Sequence, residues 1–253
     1  MSGGSSMSGK IPIPGIISEC DRLFNAGKGA ESGAYLEHWQ REAAQCGDLS
    51  GELSVVNELV GFYRMNKLPE KGKQAVARAL ELIEKLDIAD TVSGGTILLN
   101  CASALHSFAE LDNAMELFNR SYAAYAKNLP QDDLNFAGLL NNMSSIYADK
   151  GDFHSAIICC IEAGEILHKE NKIMDRAVTL VNMLQLHLRF ETDSTEVHHL
   201  IAEAMKCFDD PAVPRDGYYA HTCTKCAEVF GAAGRKDHES ELLRRAKEIY
   251  ERH

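Results

Sequence analysis

The sequence predicts an all-α protein, a solenoid of about six antiparallel helix hairpins. Three observations carry this. From about residue 16 onward, apolar residues recur at three- and four-residue steps almost without interruption. Strand signals are scarce, because only six prolines occur in 253 residues and long stretches lack β-branched runs. The chain also repeats itself. Tyr63, Leu105 and Tyr147 recur at intervals of 42, and so do Leu59, Cys101 and Met143. Val76, Phe118 and Cys160 form a third column, and Ala79, Ser121 and Ala163 a fourth. Four columns at one period point to a repeated structural unit.

Residues 1–15, MSGGSSMSGKIPIPG, are rich in Gly and Ser and have no apolar period. They are expected to form a disordered tail, with the solenoid occupying residues 16–253. Residues 16–47 read as an irregular first hairpin, with Gly27 to Gly29 in its turn and Trp39 in its core. The clearest units lie at 55–83, 98–125 and 139–167. In each, a first helix with large apolar residues is followed by a turn, LPEKGK, FAELDN or DKGDFH. The second helix sets small residues among large ones, as in Ala114 with Phe118 or Ala156 with Cys160. Small residues let helix backbones approach, and large neighbours fill the groove. Gly151 suits the left-handed position that ends a helix. Asp132 and Asp133, just after Pro130, are placed to cap the helix that follows. Residues 176–207 and 217–252 read as two weaker hairpins, the former joined through ETDST. The final helix is rich in Lys, Arg and Glu, as a terminal repeat with one wet face should be.

Composition narrows the function classes. Hydrophobic residues make up 45% and charged residues 25%, an ordinary globular balance. The formal net charge of −11 repels a nucleic-acid backbone and anionic lipid, so neither is expected as the main partner. No apolar run of about 18 residues is present, so no membrane span is expected. No secretion signal is visible, and the eight cysteines fall mostly inside apolar helical patterns. Free thiols in a reducing cytoplasm are therefore expected rather than disulfides.

The unit at 139–167 resembles the tetratricopeptide (TPR) repeat, a helix-turn-helix solenoid unit. The resemblance is carried by Leu140, Met143, Ser144, Tyr147, Gly151, Asp152, Phe153, Ala156, Cys160 and Ala163, and extends over roughly residues 16 to 253. The 42-residue period exceeds the usual 34. Longer units of this kind, with an NN pair before the core residue, are similar to repeats of kinesin light chains and of bacterial peptide-sensing regulators. The resemblance implies a right-handed superhelix whose first helices line a concave groove able to hold a peptide.

Five asparagines are the candidate groove residues. Asn100, Asn142 and Asn182 follow one another at 42 and 40 residues, and Asn57 and Asn141 stand two periods apart. An amide offers both a donor and an acceptor, so a row of them can pair with a peptide main chain without reading its side chains. The same amides could instead bond to adjacent helices and fix the stacking.

Other motifs carry less. His221, Cys223 and Cys226 in HTCTKC have metal-ligand spacing, yet both cysteines fall in core columns and no second CxxC pair exists. His198 and His199 point about 100° apart on a helix and read as a solvated face. Phosphate-loop, zinc-protease and nucleophile-elbow motifs are missing. The expectation is a noncatalytic, cofactor-free scaffold that binds a protein or peptide segment. The alternatives are a peptide-responsive regulator acting through another protein and, third, an enzyme. Oligomeric state and partner stay open.

Overall fold

Twelve helices among the described residues pair into six hairpins. The structure is a computed structural model that describes residues 9–190 and 194–252. It divides into two compact units, at Leu129 and Pro130. The first unit holds α1 (Ile13–Asn25), α2 (Gly29–Cys46), α3 (Leu49–Met65), α4 (Pro69–Lys85), α5 (Val92–Ser107) and α6 (Leu111–Asn128). The second holds α7 (Leu134–Asp149), α8 (Phe153–Lys169), α9 (Ile173–Arg189), α10 (Ser194–Asp209), α11 (Gly217–Ala232) and α12 (Lys236–Tyr250). Odd-numbered helices are the first of each hairpin. Each packs on its even partner and on the first helix of a neighbouring hairpin in its unit, as α3 does on α5 and α9 does on α11.

One turn geometry recurs. Five hairpin turns carry a left-handed residue: Gly27, Lys67, Ala109, Gly151 and Gly234. The next N–H reaches back to a carbonyl in the last turn of the first helix. Leu68 donates to Tyr63 at 2.9 Å, Glu110 to Leu105 at 3.0 Å, Asp152 to Tyr147 at 2.8 Å, and Arg235 to Phe230 at 2.9 Å. This six-to-one bond satisfies a carbonyl the helix leaves open. The glycine expected at 151 sits at φ 81°. The remaining turn, in the ETDST stretch, includes residues 191–193, which lie outside the described residues.

The repeat columns are the core. Leu59, Cys101 and Met143 are buried, as are Val76, Phe118 and Cys160. Ala79, Ser121 and Ala163 are fully covered. In the remaining column, Tyr63 and Leu105 are buried and Tyr147 is half-buried. Close packing needs small residues at specific points. A Cβ on Gly72 of α4 would lie 2.3 Å from the ring of Phe108. The eight cysteines are free thiols, six of them buried. Cys223 and Cys226 lie in the core, where burial pushes their thiols up to about 11 and about 12.

Several details differ from the sequence expectation. The fold begins before residue 16: α1 starts at Ile13, with Pro14 in its first turn, where a missing N–H costs nothing. The Ile11 N–H also donates to Asp48 at 3.0 Å, so the end of the supposed tail is bonded into the first unit. Residues 1–8 lie outside the described residues. Of the two aspartates expected to cap α7, Asp133 accepts from the Asn135 N–H at 2.9 Å, while Asp132 pairs with Lys169. Trp39 is only half-buried, edge-on to Tyr35 and His38, and Leu36 fills the core beside it.

A buried ion pair ties α3 to α4. Glu52 is 1% exposed and accepts from Arg78 Nε and Nη2, both at 2.7 Å. Replacing one partner strands the other charge. Arg78→Met is expected to destabilise the chain by about 3–5 kcal/mol, and the double change with Glu52→Leu by much less. Urea unfolding of the single and double variants measures the difference. Turn strain gives a second test. Ala109→Gly should stabilise and Gly151→Ala destabilise, each by about 1 kcal/mol, because only glycine adopts positive φ without crowding its Cβ. Equal shifts of the same sign would show that the turns do not store this strain.

Candidate binding groove

The asparagines stand on first helices and form rungs between them. In the first unit, Asn100 Nδ2 on α5 donates to Asn57 Oδ1 on α3 at 2.9 Å. Asn57 also bonds to Glu58, whose carboxyl is raised by burial and by neighbouring Asp21. In the second unit, Asn182 Nδ2 on α9 donates to Asn141 Oδ1 on α7 at 3.2 Å. Asn141 Nδ2 passes the chain on to Thr179 Oγ1 at 2.9 Å, and Thr179 donates to the Asp175 carbonyl at 3.1 Å. Asn142 is different. Its amide donates to the Gly138 carbonyl of its own helix at 2.9 Å.

A constant period mixes these partners. Bonded pairs across the first helices are 43 residues apart for Asn57 and Asn100, 41 for Asn141 and Asn182, and 43 for Asp175 and Tyr218. The column Asn100, Asn142, Asn182 therefore joins two rung donors with a residue bonded inside its own helix. Each rung occupies one side of an amide. The Oδ1 atoms of Asn100 and Asn182 accept no protein hydrogen bond among the described residues.

In the second unit, a cleft of about 500 Å³ runs across α7, α9 and α11. Leu134, Ala137, Gly138 and Asn141 come from α7, Asp175 and Val178 from α9, and Tyr218, His221 and Lys225 from α11. Lys172 reaches in from the turn before α9. A Cβ on Gly138 would meet nothing within 4 Å, so the α7 wall is open there. Tyr218 donates its hydroxyl to Asp175. Burial and that carboxylate hold the phenol proton well above its ordinary pKa. Asp175 is thus engaged, while Lys172 and Lys225 have no acidic or hydrogen-bonding partner among the described residues. On a chain of net charge −11, this cleft is locally cationic.

A smaller hollow of about 150 Å³ is lined by Ser144, Ser145, Asn182 and Gln185 of α7 and α9, and closed by the Arg189–Asp149 pair at 2.7 Å. His221 lines the larger cleft while Cys223 and Cys226 point into the core, so the HTCTKC residues do not converge. Among the described residues, no three His, Cys, Asp or Glu side chains are grouped to hold a metal. No helix among them is long and apolar enough to cross a membrane.

Of the five asparagines singled out in the sequence, Asn141 lines this cleft and Asn182 the smaller hollow, while Lys172, Lys225 and the Tyr218–Asp175 pair are not among the residues singled out. A signal existed: Lys225 stands 43 residues beyond Asn182, the same interval as the Tyr218–Asp175 pair.

No family model matches the chain, and no curated protein matches it in sequence. Solved structures do. The crystal structure of BtubC (BKLC) from P. vanneervenii is similar with a TM-score of 0.60 at 16% identity, covering 95% of this chain and 92% of that one. A crystal structure of putative kinesin light chain nearly identical TPR-like repeats from Podosopora anserina has a TM-score of 0.59 at 16% identity, over 78% of this chain and 94% of that one. A single-substitution variant of those repeats gives 0.60, also at 16% identity. Twelve helices paired at a near-42-residue repeat, together with these likenesses, establish that the chain has the TPR-like helical-repeat fold.

Proposed function

We propose that the chain is a noncatalytic scaffold that holds an extended segment of another protein against its first helices, with the α7–α9–α11 cleft as the anchor. A TPR-like repeat supports a binding role in general. The observation that carries the finer reading is the pair of unpartnered ammonium groups, Lys172 and Lys225, in a cleft of about 500 Å³. Both ammonium groups face one cleft, where no carboxylate compensates them among the described residues. Two without one favour a ligand that brings its own negative charge. In the same unit, the open Oδ1 atom of Asn182 would accept a main-chain N–H of such a segment. The six buried free thiols fit a reducing compartment such as the cytoplasm.

The experiment uses a fluorescent peptide library that includes acidic sequences. Acidic peptides should bind the wild type. Lys172→Glu with Lys225→Glu should weaken that binding at least about tenfold, the scale of one lost charge-assisted contact, with helicity unchanged. Peptide binding that ignores both lysines would remove the cleft as the anchor. The asparagines give a contrasting result. Asn100→Ala breaks a rung and should cost about 1 kcal/mol of stability, whereas Asn142→Ala should cost almost nothing. Thermal or urea unfolding of the two single variants separates them. Equal losses would mean that the rung carries no stability.

A further inference from the structure

A second cleft in the same unit, of about 250 Å³, opens between the loop that follows α10, the start of α11 and the end of α12. Three guanidinium groups line it: Arg215, Arg245 and Arg252. They differ in what they already hold. Arg245 is nearly saturated. Its Nε donates to Glu241 at 2.8 Å, its Nη1 to the Phe208 carbonyl at 3.3 Å and to Tyr219 Oη at 3.1 Å, and its Nη2 pairs with Asp209 at 2.8 Å. It is a fixed post. Arg215 lies over the Tyr219 ring, 4.3 Å from its centroid, and spends a single bond on the Asp210 carbonyl at 3.3 Å. Tyr219 is itself immobilised, 1% exposed, with its hydroxyl donating to Phe208 at 3.1 Å. The stack therefore sets the plane of the Arg215 fork and leaves most of its donors free. Arg252 has no ion pair among the described residues.

The acidic residues of the cleft do not neutralise these two. Asp209 is taken by Arg245, and Glu248 by Arg244. Other arginines meet carboxylates closely, as Arg22, Arg78, Arg120 and Arg189 do at 2.6 to 2.7 Å. Arg64 stands alone on an exposed helix end, whereas Arg215 and Arg252 share one hollow without a carboxylate of their own among the described residues.

We propose that this cleft binds a phosphoryl group, held between the Arg215 and Arg252 forks. A tetrahedral dianion suits two separate forks, because each can take a different pair of oxygens. A carboxylate presents one edge and half the charge. The prebuilt Arg215–Tyr219 stack lowers the ordering cost of the first fork.

Calorimetric titration of the full chain tests this, with inorganic phosphate, phosphoserine and acetate at matched ionic strength set by chloride. Saturable one-to-one binding of phosphate, without binding of acetate, is expected. Arg215→Gln with Arg252→Gln should weaken it at least about tenfold, the loss of one charge-assisted pair. Arg252→Gln alone serves as the milder variant should the pair of changes disturb folding, which helicity and melting in chloride report. Arg64→Gln, which removes an exposed and unpaired arginine of the first unit, should leave phosphate binding unchanged. Binding of phosphoserine as well as phosphate would assign the site to phosphate esters, and binding of phosphate alone to the free anion. A response that does not saturate, that acetate reproduces, or that Arg64→Gln reduces equally would overturn the proposal.

Discussion

The bond that the rest of the structure depends on is the backbone N–H that crosses five of the six hairpin turns to the carbonyl of a last-turn residue of the first helix. Tyr63, Leu105, Tyr147 and Phe230 each offer that carbonyl while their side chains enter the apolar packing. One residue thus fixes the exit angle of the chain and the depth of the first helix in the core. The left-handed residue beside it is the geometric requirement. Where the sequence supplies Gly151 the requirement is met freely, and where it supplies Lys67 or Ala109 the turn is strained. The same turn forms on all three residue types, so the packing of the second helix outweighs the local cost at Lys67 and Ala109. A single hairpin cannot cover its own apolar faces, so stacking is obligatory within each unit.

Stacking in turn makes the groove. Holding first helices side by side brings their polar faces together, and the Asn57–Asn100 and Asn141–Asn182 rungs satisfy those faces. A rung does two things at once. It spares a half-buried amide the cost of an unmade bond, and it fixes the direction in which the other half of that amide points. The contrast posed by the sequence, between amides that bind a partner and amides that lock the stack, is therefore not exclusive. An amide bonded to its neighbour through one atom still offers another, and a row aligned in advance loses less entropy on meeting a chain.

Much of the fold was legible because burial repeats. Val76, Phe118 and Cys160 occupy equivalent places between layers, and a constant interval of 42 finds them. The groove was less legible for a geometric reason. Its contacts join side chains on adjacent helices rather than equivalent positions, so their intervals become 43 or 41. This one-residue offset is why Asn142, grouped with Asn100 and Asn182 by the interval, bonds within its own helix instead of forming a rung. Lys172 repeats nothing, and the 43-residue interval that links Lys225 to Asn182 is visible only once adjacent helices are known to pair at that offset. An unpaired charge is defined by what fails to stand near it, which a linear pattern does not display. The start at Ile13 was hidden by Gly9, Pro12, Pro14 and Gly15, a composition that reads as a tail although Pro14 sits where a helix accepts it. Trp39, expected in the core of the first hairpin, is half-buried, with its ring edge-on to Tyr35 and His38 while Leu36 takes the core position.

The charge of the chain and the charge of its clefts oppose each other, and distance decides between them. At physiological salt the screening length is about 8 Å, so the net −11 acts weakly on a ligand beyond contact. Inside a cleft the unpaired Lys172 and Lys225, or Arg215 and Arg252, are the charges nearest a ligand, and contact with these exposed groups outweighs the distant net charge. On the proposed reading, overall repulsion would suppress indiscriminate binding of acidic chains, while the two clefts would reward a ligand whose shape reaches their unpaired groups. Specificity of this kind needs no catalytic geometry. It needs uncompensated cations held in place, as the Arg215–Tyr219 stack holds one guanidinium, and a neighbouring carboxylate kept from neutralising them, as the Tyr218 hydroxyl engages Asp175.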